Sequence, residues 1–125
     1  MKTVLVVDDE LDIVEAVKAI LEEERYRVIT CPNGREALKC LNESKPDLAI
    51  VDIMMPVMNG YETIKAIRQQ NAFEQLPILI MSAIVPSVKT REHTWEGFLK
   101  KPFSLKDLLD KVHRLAPKDS DQEAP

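Results

Sequence analysis

Asp8, Asp9, Asp52, Ser82 and Lys101 each stand just past a short apolar run, and their side chains suit one kind of chemistry. Three carboxylates held together carry a formal charge near −3 and repel one another unless a cation lies among them or a proton is taken up. Hard oxygen ligands, few of them supplied by protein, describe a Mg2+ site. With Mg2+ and the Lys101 ammonium added, the formal sum falls to about zero, so a dianionic phosphoryl group could enter without prohibitive repulsion.

Taken singly, each residue has a duller account. Asp8 and Asp9 could be the acidic start of a helix, favoured by its dipole. Asp52 could be an ordinary turn residue at a strand end, Ser82 a turn hydroxyl and Lys101 a solvated amine. The chemical account requires that they meet, and that depends on the elements carrying them.

The apolar pattern switches repeatedly between short continuous runs and helical spacing, as strands do when they alternate with helices in a buried parallel sheet. Strands are expected over 3–7, 27–31, 48–51, 78–81 and 97–99, all rich in β-branched or aliphatic residues. The first helix carries Ile13, Ala16, Val17, Ile20 and Leu21 as its apolar stripe. Asn33 before Glu36, Asn59 before Glu62 and Ser104 before Asp107 each place a capping side chain three residues ahead of an acid. The last helix shows Leu105, Leu108, Leu109 and Val112 on one face and stops before Pro117.

A (βα)5 pattern of this size predicts an α/β fold, a flavodoxin-like doubly wound parallel sheet of order 2-1-3-4-5, because parallel strands require right-handed crossovers. Such sheets bring their functional groups together at the carboxyl ends of the strands, where these five residues lie.

The chain has 125 residues, 45% of them hydrophobic, enough for one domain with one core. Its apolar runs are far shorter than the roughly 20 residues that span a bilayer, and the N-terminus lacks the pattern of a secretory leader, so a cytoplasmic protein with no membrane partner is expected. The net charge of −4 is spread over mixed positions without a basic stripe, which argues against direct nucleic-acid binding. Cys31 and Cys40 suggest neither a disulfide framework nor a zinc site and are read as small buried or half-buried hydrophobes. His93 and His113 have no ligand or triad partner in sequence, and Trp95 is read as packing.

Four motifs then coincide at strand ends: Val6-Val7-Asp8-Asp9-Glu10, Val51-Asp52-Ile53-Met54-Met55-Pro56-Val57-Met58-Asn59-Gly60, Met81-Ser82-Ala83 and Lys101-Pro102-Phe103. Together they resemble the response-regulator receiver domain, over roughly residues 2–116. The resemblance implies a receiver domain over 1–116 followed by a disordered tail over 117–125. It implies that Asp52 accepts a phosphoryl group from a histidine kinase or phosphotransfer protein. Asp9 and Asp52 would be direct Mg2+ ligands with the Met54 carbonyl as a third, Asp8 would act through water, and Mn2+ would be tolerated. Lys101 would balance charge on the phosphoryl oxygens, and the chain would catalyse its own phosphorylation and dephosphorylation without being a conventional enzyme. Ser82 and Phe98 would form the switch, and the Lys101–Pro102 bond would be cis. Met54 and Ile84, two residues past the phosphoacceptor and two past the switch hydroxyl, would limit water's access to the phosphate. Gly60 would permit a tight approach between the phosphorylation loop and the third helix.

The chain departs from this pattern over 84–96, where 13 residues separate Ala83 from Gly97, roughly one helical turn fewer than the family has. Pro86 and five β-branched residues weaken helix formation there, so a shortened fourth helix is expected. The face made by that helix, the fifth strand and the last helix would signal to a downstream protein or mediate a homodimer. Competing readings are an interaction module indifferent to phosphorylation and an aspartyl phosphatase. The phosphatase pattern wants a second Asp where Met54 stands. A flavin or nucleotide site is weaker still, with three glycines in the chain and no glycine-rich loop after the first strand.

Overall fold

The computed structural model describes residues 1–87 and 93–118. In chain order the elements are β1 (Thr3–Val7), α1 (Leu11–Glu23), β2 (Arg27–Cys31), α2 (Gly34–Ser44), β3 (Leu48–Val51), α3 (Gly60–Arg68), a short 3-10 turn (Asn71–Phe73), β4 (Ile78–Ser82), β5 (Gly97–Lys100) and α4 (Leu105–Leu115). All strand pairs are parallel, in the order β2-β1-β3-β4-β5. This is the expected doubly wound sheet.

Every residue of β1, β3 and β4 is buried, which explains why these strands read as unbroken apolar runs rather than alternating ones. Alternate residues feed two cores. Leu5, Val7, Ala49, Val51, Ile78 and Ile80 meet Ala37 and Leu41 of α2 and Ile64 and Ile67 of α3. Val4, Val6, Leu48, Ile50, Leu79 and Met81 meet Val14, Val17 and Leu21 of α1 and Leu108 and Val112 of α4. The stripe of α1 is centred differently from the one its spacing suggested: Val14 is buried and Ala16 is exposed. Both lie near the edge of the apolar arc, and the larger side chain takes the inward place because it removes more apolar surface from water.

The three capping residues hold their helices as the sequence predicts. Asn33 accepts from Glu36 N–H, Ser104 accepts from Asp107 N–H, and Asn59 with Glu62 forms a reciprocal capping box. Between β4 and β5 the chain is irregular over 83–87 and 93–96, and the shortened helix expected there would fall on 88–92, outside the described residues. The tail expected over 117–125 likewise lies outside them from residue 119. No helix among the described residues is long and apolar enough to cross a membrane.

Candidate functional site

Strand register is what assembles the site. Val7 pairs with Val51, so the residues that follow them, Asp8 and Asp52, emerge side by side. Ser82 pairs with Lys100, which sets Lys101 one step beyond the Ser82 hydroxyl across the same sheet end. The backbone ladder continues into these residues: Asp8 N–H donates to the Cys31 carbonyl, Asp52 N–H to Val7 and Lys101 N–H to Ser82, at 3.2, 2.9 and 2.9 Å. Each side chain is thereby fixed by main-chain bonds that belong to the sheet. The Lys101–Pro102 peptide is cis.

Asp8 and Asp52 are 2% exposed and Ser82 is fully buried. The Lys101 ammonium reaches all the acids of the cluster, at 2.9 Å from Asp8 Oδ2, 2.7 Å from Glu10 Oε1 and 3.6 Å from Asp52 Oδ2. Carboxylate oxygens of Asp8, Glu10 and Asp52 lie within 4.8 Å of one another. Asp9 is exposed and stands outside this group, although its charge is felt at Asp52. Burial and the neighbouring Asp8 carboxylate push the Asp52 carboxyl up to about 6, with Asp9 adding to the effect and Lys101 and the Met54 N–H opposing it. For Lys101, burial pulls downward, but Glu10, Asp8 and Asp52 together hold it above the ordinary lysine range.

Glu10 has no role in the sequence reading, yet its carboxylate is the shortest contact of Lys101. The available signal was its place two residues after Asp8. Extended backbone at φ −85° and ψ 100°, with Glu10 N–H bonded to Asp8 Oδ1 at 2.9 Å, turns it back toward the cluster instead of out along α1.

These donors suit a hard divalent cation. They are carboxylate oxygens, two of the three acids are buried, and among the described residues Asp8 Oδ2 accepts no hydrogen bond, its charge being met by the Lys101 ammonium 2.9 Å away. With one ammonium against three carboxylates, a cation would relieve the remaining repulsion.

On the far side of Asp52 the chain doubles back to start α3. A Cβ on Gly60 would press on the Asp52 carbonyl and come within 2.6 Å of Ile53 Cα, so only glycine admits this approach. Gly60 N–H bonds the Ile53 carbonyl at 2.8 Å. Within the loop, Val57 takes φ 74°, a left-handed conformation that a β-branched residue adopts under strain. Met54 and Ile84 are 64% and 48% exposed on the loops after β3 and β4. Phe98 is half-buried opposite Ile80, on the same sheet face as Ser82 and one diagonal step from it. The Ser82 hydroxyl oxygen accepts from Ile84 N–H at 3.3 Å.

Trp95 is buried in the core and lies beside Tyr61, while His93 meets the Tyr61 ring edge-on. His113 stacks on Tyr26 and lies 3.5 Å from Glu24. None of these residues joins the acidic cluster.

Comparison with known proteins places this arrangement in context. The family model for the response regulator receiver domain matches residues 4–113. Response regulator SaeR of Staphylococcus aureus is 34% identical over 123 residues, covering 92% of this chain and 50% of SaeR. The chain thus spans about half the length of the curated relatives it matches. Among solved structures, the Vibrio cholerae chemotaxis protein CheY4 superposes with a TM-score of 0.86 at 36% identity, covering 92% of this chain and 98% of CheY4. The Thermotoga maritima response regulator TrrA, solved in complex with Mg(2+)-BeF, gives 0.82 at 35% identity and covers 92% and 99% of the two chains.

Proposed function

The chain belongs to the response regulator receiver domain family, and from that premise we propose that Asp52 accepts a phosphoryl group from a histidine kinase or phosphotransfer protein. The observation that carries this reading is the placement of two buried carboxylates, Asp8 and Asp52, side by side under one lysine ammonium.

The raised Asp52 value of about 6 still leaves the carboxylate mostly ionised at neutral pH, so the nucleophile is present. An Asp52 oxygen attacks phosphorus in line, forming an acyl phosphate as the bond from phosphorus to the donor's imidazole nitrogen breaks and the nitrogen keeps the electron pair. Lys101 already lies 3.6 Å from that carboxylate and balances charge on the phosphoryl oxygens. Positioning and electrostatics supply the catalysis. Asp8, Asp9, Asp52 and the Met54 carbonyl are the groups that would hold Mg2+, with Glu10 beside them, and the same oxygen set would tolerate Mn2+. The ion's contribution is neutralisation of developing negative charge. Ser82 keeps its O–H proton free to donate to a phosphoryl oxygen, and an inward turn of Phe98 carries the signal to the surface around β5 and α4. A downstream protein reads that surface in the cytoplasm.

The test is labelling by a small acyl phosphate with and without Mg2+. Wild type should incorporate one phosphoryl group per chain only with Mg2+, and Asp52→Asn none. Equal labelling of the Asn variant would remove Asp52 from the role.

A second reading, an interaction module whose output ignores phosphorylation, is favoured by the irregular backbone over 83–87 and 93–96. It predicts equal partner binding by wild type and Asp52→Asn.

A further inference from the structure

Cys31 ends β2 and Cys40 lies in α2, and their sulfur atoms stand 3.2 Å apart with no bond between them. A disulfide is about 2.05 Å long, so the two sulfurs are about one ångström from bonding distance, a gap that small side-chain rotations can close. The two thiols differ in their surroundings. Cys31 is buried at 7% exposure, whereas Cys40 is half-buried. Cys40 Sγ also lies 3.4 Å from the Ala37 carbonyl one helical turn back, to which its thiol can donate.

We propose that Cys31 and Cys40 form a reversible oxidation site that a hydroperoxide closes to an intramolecular disulfide. Cys40, the more accessible thiol, reacts first. Its thiolate attacks one peroxide oxygen, the O–O bond breaks, the departing hydroxide (or the alkoxide of an organic hydroperoxide) takes a proton to become water (or an alcohol), and Cys40 is left as a sulfenic acid. Cys31 then attacks the Cys40 sulfur. The S–O bond breaks, hydroxide takes the Cys31 proton and leaves as water, and the S–S bond forms. Two thiols are oxidised and one hydroperoxide is reduced.

This division of labour suits the two sites. Cys31 is buried and Cys40 stands between it and solvent-borne oxidant, so Cys31 stays reduced until a sulfenic acid appears beside it. A thiol held next to a nascent sulfenic acid traps it before a second peroxide can. The tie would form beside the acidic cluster, because the Cys31 carbonyl accepts the Asp8 N–H and Cys31 lines a small cavity of about 140 Å3 with Asp8 and Asp9. The proposal does not depend on phosphorylation of Asp52.

The test treats the native full chain with hydrogen peroxide and follows intact mass, free thiols and circular dichroism. The expected product is monomeric, about two mass units lighter, without free thiols, still folded and restored by dithiothreitol. Peptide mapping should join Cys31 to Cys40. Cys31→Ser should instead gain about one oxygen at Cys40, and Cys40→Ser should react at least about tenfold more slowly, since only the buried thiol remains. Persistence of both thiols, irreversible gain of two or more oxygens by wild type, or a disulfide between chains would each overturn the proposal. These readouts use wild type first, so an unstable variant leaves the test intact.

Discussion

The two loops that leave the middle of the sheet are built on opposite principles. The loop from Asp52 to Gly60 is pinned at both ends, by the Asp52 N–H bond to Val7 and by Gly60 against the Asp52 and Ile53 backbone, and it runs into a capping box. Among the described residues, the connection from β4 to β5 is pinned mainly at its far end. There Arg68, 7% exposed at its side chain, donates to the Thr94 carbonyl and hydroxyl, the Leu76 carbonyl and Glu96. Glu96 in turn accepts from Ile78 N–H at 2.7 Å. The near end carries exposed Ile84 and Val85 and a contact from Ser87 N–H to the Tyr61 hydroxyl. A site that must hold charges in register needs the first kind of loop, whereas a surface that changes partners can use the second.

Removing the ammonium attacks the first region hardest. Lys101→Ala should slow Asp52 labelling by about three powers of ten, roughly 4 kcal/mol, because it strips the positive charge from the three acids it contacts. Rates against phosphodonor concentration measure it, and a loss below threefold would show that Lys101 is structural.

The next effect concerns stability. Burial and the Asp8 carboxylate raise the Asp52 carboxyl from its ordinary 3.8 to about 6 in the folded chain, so the folded state binds more protons between these values and stability falls as pH rises through them. Asp52→Asn should therefore stabilise the metal-free chain by about 3 kcal/mol at pH 7 and by progressively less as pH falls toward 4. Urea melts across that range check the sign. A gain independent of pH would refute the electrostatic origin.

Met54 and Ile84 test whether water access is governed jointly by both loops. Neither side chain can align a water through hydrogen bonds, so Met54→Asn with Ile84→Glu should speed loss of phosphate by one to three powers of ten, centred on about 2.7 kcal/mol. Radiolabelled, donor-free protein with Mg2+ provides the readout, and an unchanged half-life would remove both residues from the gate.

Arg68→Met tests the second region. It leaves the carbonyls of Thr94 and Leu76 without their charged donor and should cost about 2 kcal/mol, with Asp52 labelling nearly unchanged. A matching loss of labelling would mean the two regions are not separable. The smallest effect is expected at Val57, where Val57→Asn relieves a left-handed β-branched residue and should gain about 1 kcal/mol in a denaturant melt. A destabilised Asn variant would locate the strain elsewhere.

The sequence by itself determined the order of strands and helices, the three capped helix starts and the supply of acids, hydroxyl and lysine at strand ends. Each of these is written in a short window: continuous apolar runs, a cap three residues before an acid, a polar residue after a run. It also exposed the anomaly over 84–96, because a missing turn and Pro86 are visible without coordinates. Tertiary structure decided what those windows cannot contain. Glu10 and Lys101 are 91 residues apart, and their 2.7 Å contact follows from the backbone turn after Asp8 and the pairing of β4 with β5. Spacing left Val14 and Ala16 at opposite edges of one apolar arc, and packing on the sheet turned the helix toward the larger side chain, which removes more apolar surface. Cys31 and Cys40 read singly as small hydrophobes, and only the packing of α2 on β2 brought their sulfurs together. Spacing reports the period of an element, whereas the meeting of two side chains also depends on register, helix rotation and rotamer, which packing alone selects.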